Sequence, residues 1–293
     1  VAGQIYLDGF TFDMGPTWYL MPEVFEHFFG LFGEKIEDHI SLTQLNPSYK
    51  IFIGSDQNYT ISPEISDNIK LFDQIKPGAG AKLKAYLADA QFKYRTAMDT
   101  FLYKDYRNIF DFFNKKVLLE GSKLQLFRSL DKHASRFFTT KILRQILEYN
   151  TVFLGSSPYN TPALYSLMSH VDINLGVYYP KGGIYSLIQA LYNLARKQGV
   201  RFAFNTEAKQ ILYQNGKAIA LATTEGKTLN GDIFVSTIDY RHTEENLLPF
   251  SQRSYSSRYW HRRILAPGAF LIYAGINKKL SKLEHHSLFL CPQ

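Results

Sequence analysis

The spacing of the apolar residues changes twice along this 293-residue chain, and these changes limit the folds that it can adopt. Before residue 63, short alternating runs predict strands, including a hairpin of Tyr49–Ile53 and Asn58–Ser62. From Glu64 to Asn150 the spacing is mostly helical. The last third begins with a helix after Gly182-Gly183 and continues with short strands. This order predicts a mixed α/β fold with an inserted, largely helical cap.

Local signals predict several shorter elements. A strand at Phe10–Asp13 ends at Gly15-Pro16, and both Pro22 and Pro162 suit the start of a helix. Asn215-Gly216 is a two-residue hairpin turn. The strands predicted in the last third are Val200–Asn205, Ala208–Tyr213, Lys217–Thr224, Asp232–Thr237 and Ala269–Ile276.

The net charge of +7 is concentrated in one segment. Residues Ala79–Asn150 contain 14 Lys and Arg against 7 Asp and Glu, together with 13 Phe and Tyr. Such a segment can face nucleic acid or an anionic membrane, or it can be a solvated helical face above an aromatic core. No RNP-like or helix-turn-helix pattern accompanies it, so we expect no nucleic-acid partner.

Other classes of protein are excluded by what the sequence lacks. No run of about 18 apolar residues is present to span a bilayer. The single cysteine, Cys291, can form neither an internal disulfide nor a cysteine zinc cluster. His285-His286 would point to opposite faces of a strand, so we expect no metal site. The G-x-G-x-x-G fingerprint that cradles a dinucleotide diphosphate is absent.

Five blocks of the sequence resemble, in the same order, bacterial phytoene desaturases of the CrtI type. The longest block is Gly9–Pro22, which includes Gly15-Pro16-Thr17-Trp18-Tyr19. The other blocks are Asn160–Ser166, Tyr179–Gly183, Val235–Glu244 and Ala266–Ile276. Together they span the chain.

The resemblance implies an FAD-dependent oxidoreductase that dehydrogenates phytoene or a related carotenoid precursor by hydride transfer to the flavin. It also implies a partial Rossmann-like FAD-binding domain into which the cap is inserted. Members of the family begin with a glycine-rich βαβ unit, whereas this chain begins at Val1. We therefore expect an internal fragment that lacks the N-terminal βαβ unit and a C-terminal part.

Two alternatives remain open. The parent protein is a carotene isomerase or polyene saturase of the same family, or the chain alone is a non-enzymatic remnant that binds lipid or carotenoid.

The resemblance divides the chain into four segments. Residues 1–62 start the flavin domain and add substrate-domain strands, 63–175 form the substrate- and membrane-binding cap, 176–245 hold the FAD-domain helix and meander, and 246–293 return to the substrate-domain strands.

The resemblance also implies the flavin contacts. A Gly-Pro turn lets the backbone approach a flat ring closely. Bare amides at the start of the helix after Gly183 would favour electron density on a reduced flavin. The implied cofactor-binding residues are Gly15, Pro16, Thr17, Pro180, Gly182, Gly183, Ala208 and Thr237. Ala208 stands where valine is usual, and Thr237 stands where asparagine is usual.

The same resemblance places a catalytic carboxylate at Asp111, with Lys115 as the nearby basic residue. A buried carboxylate would stabilise the positive charge left on the substrate when hydride departs, and it could accept a proton. The family's basic partner aligns with Asn114, which departs from the pattern. The alternative is that Asp111 is a charge on the surface of a helix.

An apolar polyene requires only an apolar tunnel, because burying hydrocarbon is favourable by about 0.8 kcal/mol per CH2. The candidate lining residues are Trp18, Tyr19, Phe25 and Phe28, with the protein core as the alternative role. A substrate that dissolves in a bilayer calls for an enzyme that docks there. The basic aromatic cap therefore predicts a peripheral protein at the cytoplasmic face of a bacterial membrane. The oligomeric state is left open.

Overall fold

A two-stranded hairpin opens the part of the chain that the computed structural model describes, which is residues 3–55, 57–105, 107–108, 121 and 123–290. Strands β1 (Gly3–Leu7) and β2 (Phe10–Met14) pair in antiparallel fashion. The turn residues Asp8 and Gly9 both have positive φ, which matches the twist of the flanking strands. The predicted strand from Phe10 is confirmed. β1 was missed, although Asp8-Gly9 is a strong hairpin signal.

Three strands form a small mixed sheet. β4 (Tyr49–Ile53) lies at its centre, with β5 (Gln57–Ile61) antiparallel on one side and β10 (Ser287–Leu290) parallel on the other. Alternate side chains of β4 are buried, as its two-residue apolar period requires. The predicted hairpin is confirmed, and its second strand begins one residue early.

Two further sheets are antiparallel. β3 (Leu42–Gln44) pairs with β6 (Tyr178–Pro180). The strands β7 (Ala208–Gln214), β8 (Lys217–Thr223) and β9 (Thr228–Asn230) form a meander. The first turn of the meander is Asn215-Gly216, as predicted, and both of its residues have positive φ.

Helices supply most of the described residues between β5 and β6, as the helical spacing predicts. The helix α1 (Pro22–Gly30) begins at its predicted proline. The other α-helices are α2 (Ile65–Ile75), α3 (Ala79–Thr96), α4 (Leu130–Ala134), α5 (Lys141–Glu148), α6 (Leu167–His170), α7 (Tyr185–Lys197), α8 (Tyr240–His242) and α9 (Ser257–His261). Short 3₁₀ segments lie at Ile36–Asp38, Tyr149–Leu154, Ala163–Ser166 and Phe250–Gln252, and π segments at Ala97–Leu102, Val171–Leu175 and Thr243–Leu247. Across the described ranges, no helix combines the length and apolar character needed to cross a bilayer.

Contacts divide the chain into two units, residues 1–194 with 266–293, and residues 195–265. In the first unit, one apolar core lies between β4 and the helices α2, α3 and α5. A second core of this unit joins α1 to α7 through Tyr19, Phe29, Ile184 and Leu187. In the second unit, β7 contacts the π segment that follows α8.

Three strand predictions are wrong. Val200–Asn205, Asp232–Thr237 and Ala269–Ile276 form no strand, and Val235 and Phe270 are more than four-fifths exposed. An apolar run becomes a strand only where a neighbouring strand pairs with its backbone. None of the described strands pairs with these runs.

Candidate functional site

Two predicted flavin-facing turns meet at one carboxylate in the first unit. Residues Gly15–Thr17 follow β2 directly, while Gly182-Gly183 separates β6 from α7. Asp13, near the end of β2, accepts a hydrogen bond from the Ile184 backbone N–H at 2.7 Å. The structure therefore brings together segments that lie about 170 residues apart in the sequence.

Two further side chains complete the network around Asp13. The Tyr179 hydroxyl donates to Oδ2 of Asp13 at 2.5 Å. Gln4 donates from Nε2 to the Gly182 carbonyl oxygen at 3.2 Å and to Oδ1 of Asp13 at 3.4 Å. Burial and the Asp13 carboxylate raise the pKa of Tyr179, so its hydroxyl remains a donor at neutral pH. Three elements thus converge on one acidic side chain.

Both glycines of the second turn adopt positive φ, near +90°. A Cβ on Gly183 would lie 2.5 Å from a carboxylate oxygen of Asp13, whereas a Cβ on Gly182 would meet nothing within 4 Å. Gly183 is therefore required for the close approach of Asp13. Gly182 leaves open space beside an exposed backbone.

The expectation of bare amides at the start of α7 is corrected by these contacts. The Ile184 N–H donates to a carboxylate, and the Gly183 N–H donates to the Pro180 carbonyl oxygen at 3.0 Å. A carboxylate at a helix N-terminus offsets the positive end of the helix dipole. The positive electrostatic field at the N-terminus of α7 is therefore weaker than that of a helix without a carboxylate at this position.

The first turn is backed by an aromatic stack. Trp18 stacks on His286 with ring centroids 4.2 Å apart. Nε2 of His286 lies 3.1 Å from the carbonyl oxygen of Thr17. Burial lowers the pKa of His286 to about 4, so its ring is neutral at pH 7 and adds no charge to the turn.

The two adjacent histidines do not point apart as predicted, because they precede β10 instead of lying within it. Their ring centroids are 4.6 Å apart, and His285 packs on Tyr179 at 4.3 Å. The pair thereby contacts both Tyr179 of β6 and Thr17 of the first turn. Within the described ranges, no group of three potential metal-ligating side chains forms.

The predicted substrate-lining residues divide between core and surface. Tyr19 is 2% exposed and belongs to the core between α1 and α7, with Phe25 packed against it. Phe28 is exposed, and Trp18 is half-buried beside His286. Tyr19 and Phe25 therefore belong to the protein core. Contact of any of the four residues with a substrate stays a prediction.

The remaining site residues lie elsewhere. Pro180 is buried at the end of β6, paired with β3. Ala208 opens β7 and Thr237 is exposed, both in the second unit. Asp111 and Lys115 lie outside the described residues, so their catalytic roles stay predictions.

Sequence reasoning missed a buried carboxyl in the first unit. Asp172 is 1% exposed, and its Oδ2 accepts from the hydroxyls of Tyr49 at 2.9 Å and Tyr149 at 2.7 Å. Burial raises the pKa of Asp172 to about 7, although both tyrosine donors counteract that rise. Trp18 packs on both tyrosine rings. The available signal was an acid inside the apolar run Val171–Ile173.

Comparisons with known proteins agree on a family. The model of the family "Flavin containing amine oxidoreductase" matches residues 2–263. The carotenoid 3,4-desaturase of Haloarcula japonica is 39% identical over 290 residues, which is 99% of this chain and 58% of the relative. The zeta-carotene-forming phytoene desaturase of Myxococcus xanthus is 30% identical over 98% of this chain and 55% of the relative.

A further relative extends the range of organisms. The 4,4'-diapophytoene desaturase of Staphylococcus haemolyticus is 29% identical over 97% of this chain and 58% of the relative. The chain thus spans somewhat more than half the length of these relatives. A crystal structure of a Pyrococcus furiosus protein has a TM-score of 0.53 at 14% identity, covering 88% of this chain and 54% of that chain, which is a likeness of fold alone.

Proposed function

The chain belongs to the flavin-containing amine oxidoreductases, and on that premise we propose that it forms part of an FAD-dependent enzyme that desaturates a carotenoid or carotenoid precursor. The resemblance to CrtI-type desaturases is confirmed by the family and its desaturase relatives, and the predicted flavin cofactor is confirmed by the family. The convergence of Gly15–Thr17 and Gly182-Gly183 on Asp13 is the structural observation that carries the proposal.

The residues present fit the flat ring of a flavin. Gly15, Pro16 and Gly182 are exposed, and Gly182 has open space beside its Cα. Backbone without bulky side chains lets a planar group approach closely. No glycine-rich fingerprint occurs in the sequence, so the proposal assigns these residues to the ring and not to the diphosphate.

The chain's own residues orient and shield that site. Bound FAD supplies the acceptor for the hydride that a desaturation removes from the substrate. Gly15–Thr17 and Gly182 would hold the ring, and Trp18 and His286 stack on each other beside the first turn. His286 is neutral at pH 7, so it neither attracts the ring's electrons nor repels positive charge on a substrate.

The test begins with the flavin itself. We expect the purified protein to bind FAD, and Gly182→Val to raise the dissociation constant at least about tenfold by filling the open space. Gly78→Val is the matched control, because Gly78 also has a positive φ of 81° and open space but caps α3. Equal FAD binding by the two variants would overturn the assignment of the turn.

Activity is tested separately with phytoene in vesicles. Each desaturation lengthens the conjugated system, so products absorb at longer wavelengths. We expect this shift with flavin-loaded protein and none with the apoprotein. An FAD-bound protein that leaves phytoene and later carotenoid precursors unchanged would contradict the desaturase proposal, and product analysis would separate desaturation from isomerisation or saturation.

We also propose peripheral docking on a membrane, at the cytoplasmic face, through an apolar patch at the end of α1. Leu31 is 67% exposed, and Phe28 and Phe32 beside it are also exposed. His27 meets Tyr103 at a ring distance of 5.2 Å, which links α1 to the exposed Leu102-Tyr103. The basic residues Lys35 and Lys104, which lie close in sequence to Phe32 and Tyr103, are exposed, which suits anionic lipid headgroups.

Flotation with liposomes tests the docking proposal. We expect stronger binding to vesicles with anionic lipid than to neutral ones, and Leu31→Glu to weaken binding to both. Ser66→Glu on the exposed face of α2 adds the same charge outside the patch and serves as the control. Equal loss of binding in both variants would show that net charge, and not this patch, governs the interaction.

A further inference from the structure

We propose that Asp13 is a positioning residue for the flavin, which holds the two ring-facing turns together and places a negative charge beneath them. This inference rests on the proposed function, because it assigns the ring to Gly15–Thr17 and Gly182-Gly183. Asp13 lies two residues before Gly15 on the same strand end, and it contacts the other turn directly.

The contacts identify Asp13 as a link between the two turns. Its Oδ2 accepts from Ile184 N–H at 2.7 Å and from Tyr179 Oη at 2.5 Å. These two donors flank Gly182-Gly183 on both sides. Hydrogen bonds to an ionised carboxylate are stronger than those between neutral groups. One side chain therefore fixes both ends of the second turn relative to the strand that leads into the first.

The conformation of Gly183 supports the same conclusion independently. A Cβ at this position would lie 2.5 and 2.6 Å from the two carboxylate oxygens of Asp13. Only glycine allows the carboxylate to approach the backbone this closely, and its φ of +91° is also one that other residues rarely adopt. Residues 13 and 183 are thus matched to each other across the fold.

The charge of Asp13 has a second consequence. A carboxylate hydrogen-bonded to the Ile184 amide offsets the positive end of α7, which would otherwise favour added electrons on a nearby ring. A negative charge beside the flavin also opposes its reduction directly. Asp13 therefore lowers the midpoint potential of the bound flavin relative to a neutral residue at this position.

The positioning role is tested in the apoprotein by amide hydrogen exchange. We expect Asp13→Ala to accelerate exchange of the Ile184 amide at least about tenfold, since its acceptor is lost. Asp38→Ala removes an exposed carboxylate elsewhere and should leave this rate unchanged. An unchanged Ile184 rate in folded Asp13→Ala overturns the positioning role.

Gly183→Ala and Gly182→Ala form a matched pair for the same measurement. Both substitutions impose nearly the same backbone strain, because the two φ angles are 91° and 89°. Only the methyl group at 183 meets Asp13, so we expect faster Ile184 exchange in Gly183→Ala than in Gly182→Ala. Equal rates in the two variants would contradict a link through Asp13.

The charge is tested by the midpoint potential of the flavin-loaded protein. Asp13→Asn keeps the shape and one acceptor, which protects the fold, and we expect its potential to shift to a more positive value. Tyr179→Phe keeps the charge and removes a donor, so its potential should match the wild type. Asp38→Asn controls for loss of a distant charge.

The outcomes distinguish the effect of Asp13 on the flavin from its role in holding the two turns together. An unchanged potential in Asp13→Asn overturns the electrostatic role. A wild-type protein that binds no FAD overturns the proposed function and with it any effect on the flavin. The exchange rate of Ile184, measured without flavin, still decides whether Asp13 holds the two turns together.

Discussion

Two ionisable clusters in the first unit place carboxyl groups beside buried partners, yet their chemistry is opposite. Around α3, Asp89 contacts the Lys93 ammonium at 2.7 Å and Nε2 of His133 at 2.9 Å. Around the segment after α6, Asp172 accepts hydrogen bonds from the hydroxyls of Tyr49 and Tyr149, and the Asn150 side chain and Ile173 backbone add neutral donors. One cluster includes a cation, and the other is built from neutral donors.

The two pKa shifts follow from this difference. Burial raises the pKa of Asp172 to about 7, and the tyrosine hydroxyls only moderate the rise. Burial also acts to raise the pKa of Asp89, but hydrogen bonds from His133 and Lys93 outweigh it and lower the pKa. The partner, and not burial alone, therefore decides whether a carboxyl in this fold is ionised.

The largest expected effect comes from removing the acid that a buried cation needs. Lys93 is 0% exposed, and without Asp89 its ammonium retains the Ala163 carbonyl oxygen, the Ser166 hydroxyl and Nε2 of His133, none of which is an anion. We expect Asp89→Asn to lower the free energy of unfolding by about 3 kcal/mol. Urea denaturation at pH 7 measures this loss.

Asp172→Asn is the matched substitution in the other cluster. It replaces a carboxyl that has no cationic partner among the described residues, and the amide can still accept from one tyrosine. We expect a stability within about 1 kcal/mol of wild type at pH 7. A loss equal to that of Asp89→Asn would show that the two clusters are energetically alike.

The pH dependence of stability should differ in sign between the clusters. The unfolded chain releases the Asp172 proton near pH 4 and the folded protein near pH 7, so this group makes stability fall as pH rises between those values. Asp89 acts oppositely: its contribution is present above pH 4 and is lost as pH falls through its lowered folded value.

Asp172→Asn removes the loss of stability that ionisation of Asp172 causes as the pH rises. Between pH 5 and 7 we expect the variant to lose about 2 kcal/mol less stability than the wild type. Glu148, whose pKa burial also raises to about 7, contributes a loss in the same range, so the variant's profile still declines. Parallel profiles for wild type and Asp172→Asn would contradict the raised pKa.

A smaller effect isolates one neutral donor. Tyr149→Phe removes the 2.7 Å hydrogen bond to Asp172 while Tyr49 still donates. We expect a loss of about 1 kcal/mol at pH 5. Tyr59→Phe, which removes an exposed 3.3 Å hydrogen bond to Gln57, is the control and should change stability by less. Equal losses would remove the distinction between the buried and exposed hydroxyls.

Much of the local structure could be predicted because the signals are local. The hairpin of β4 and β5 follows from alternation, α1 from Pro22, and the meander turn from Asn215-Gly216. The run Asp232–Thr237 has equally apolar sequence and forms no strand. Pairing with another strand is a tertiary property, and a run of apolar residues does not carry it.

The candidate site, too, could be predicted from the sequence only in its local features. The glycines of both turns were identified from their motifs, but the acid that joins them was not. Asp13 and Ile184 are 171 residues apart, so their hydrogen bond depends on the tertiary fold that brings the end of β2 to the residue before α7. The pairing of Asp89 with His133 across 44 residues could likewise not be read from spacing, whereas the i,i+4 pair with Lys93 could.

The smallest expected effect tests whether burial or the ion pair itself determines the loss of unfolding free energy in Asp89→Asn. Asp67 and Lys70 form an i,i+3 pair on α2 at 3.2 Å, but their side chains are 52% and 72% exposed. Water solvates either charge when the other is removed, so Asp67→Asn should cost less than about 0.5 kcal/mol. Urea denaturation in low and high salt measures it, with Asp89→Asn in parallel. A loss at Asp67 comparable to that at Asp89 would mean that helical ion pairing alone is responsible. A small loss assigns the cost at Asp89 to the ammonium of Lys93, which has no access to solvent.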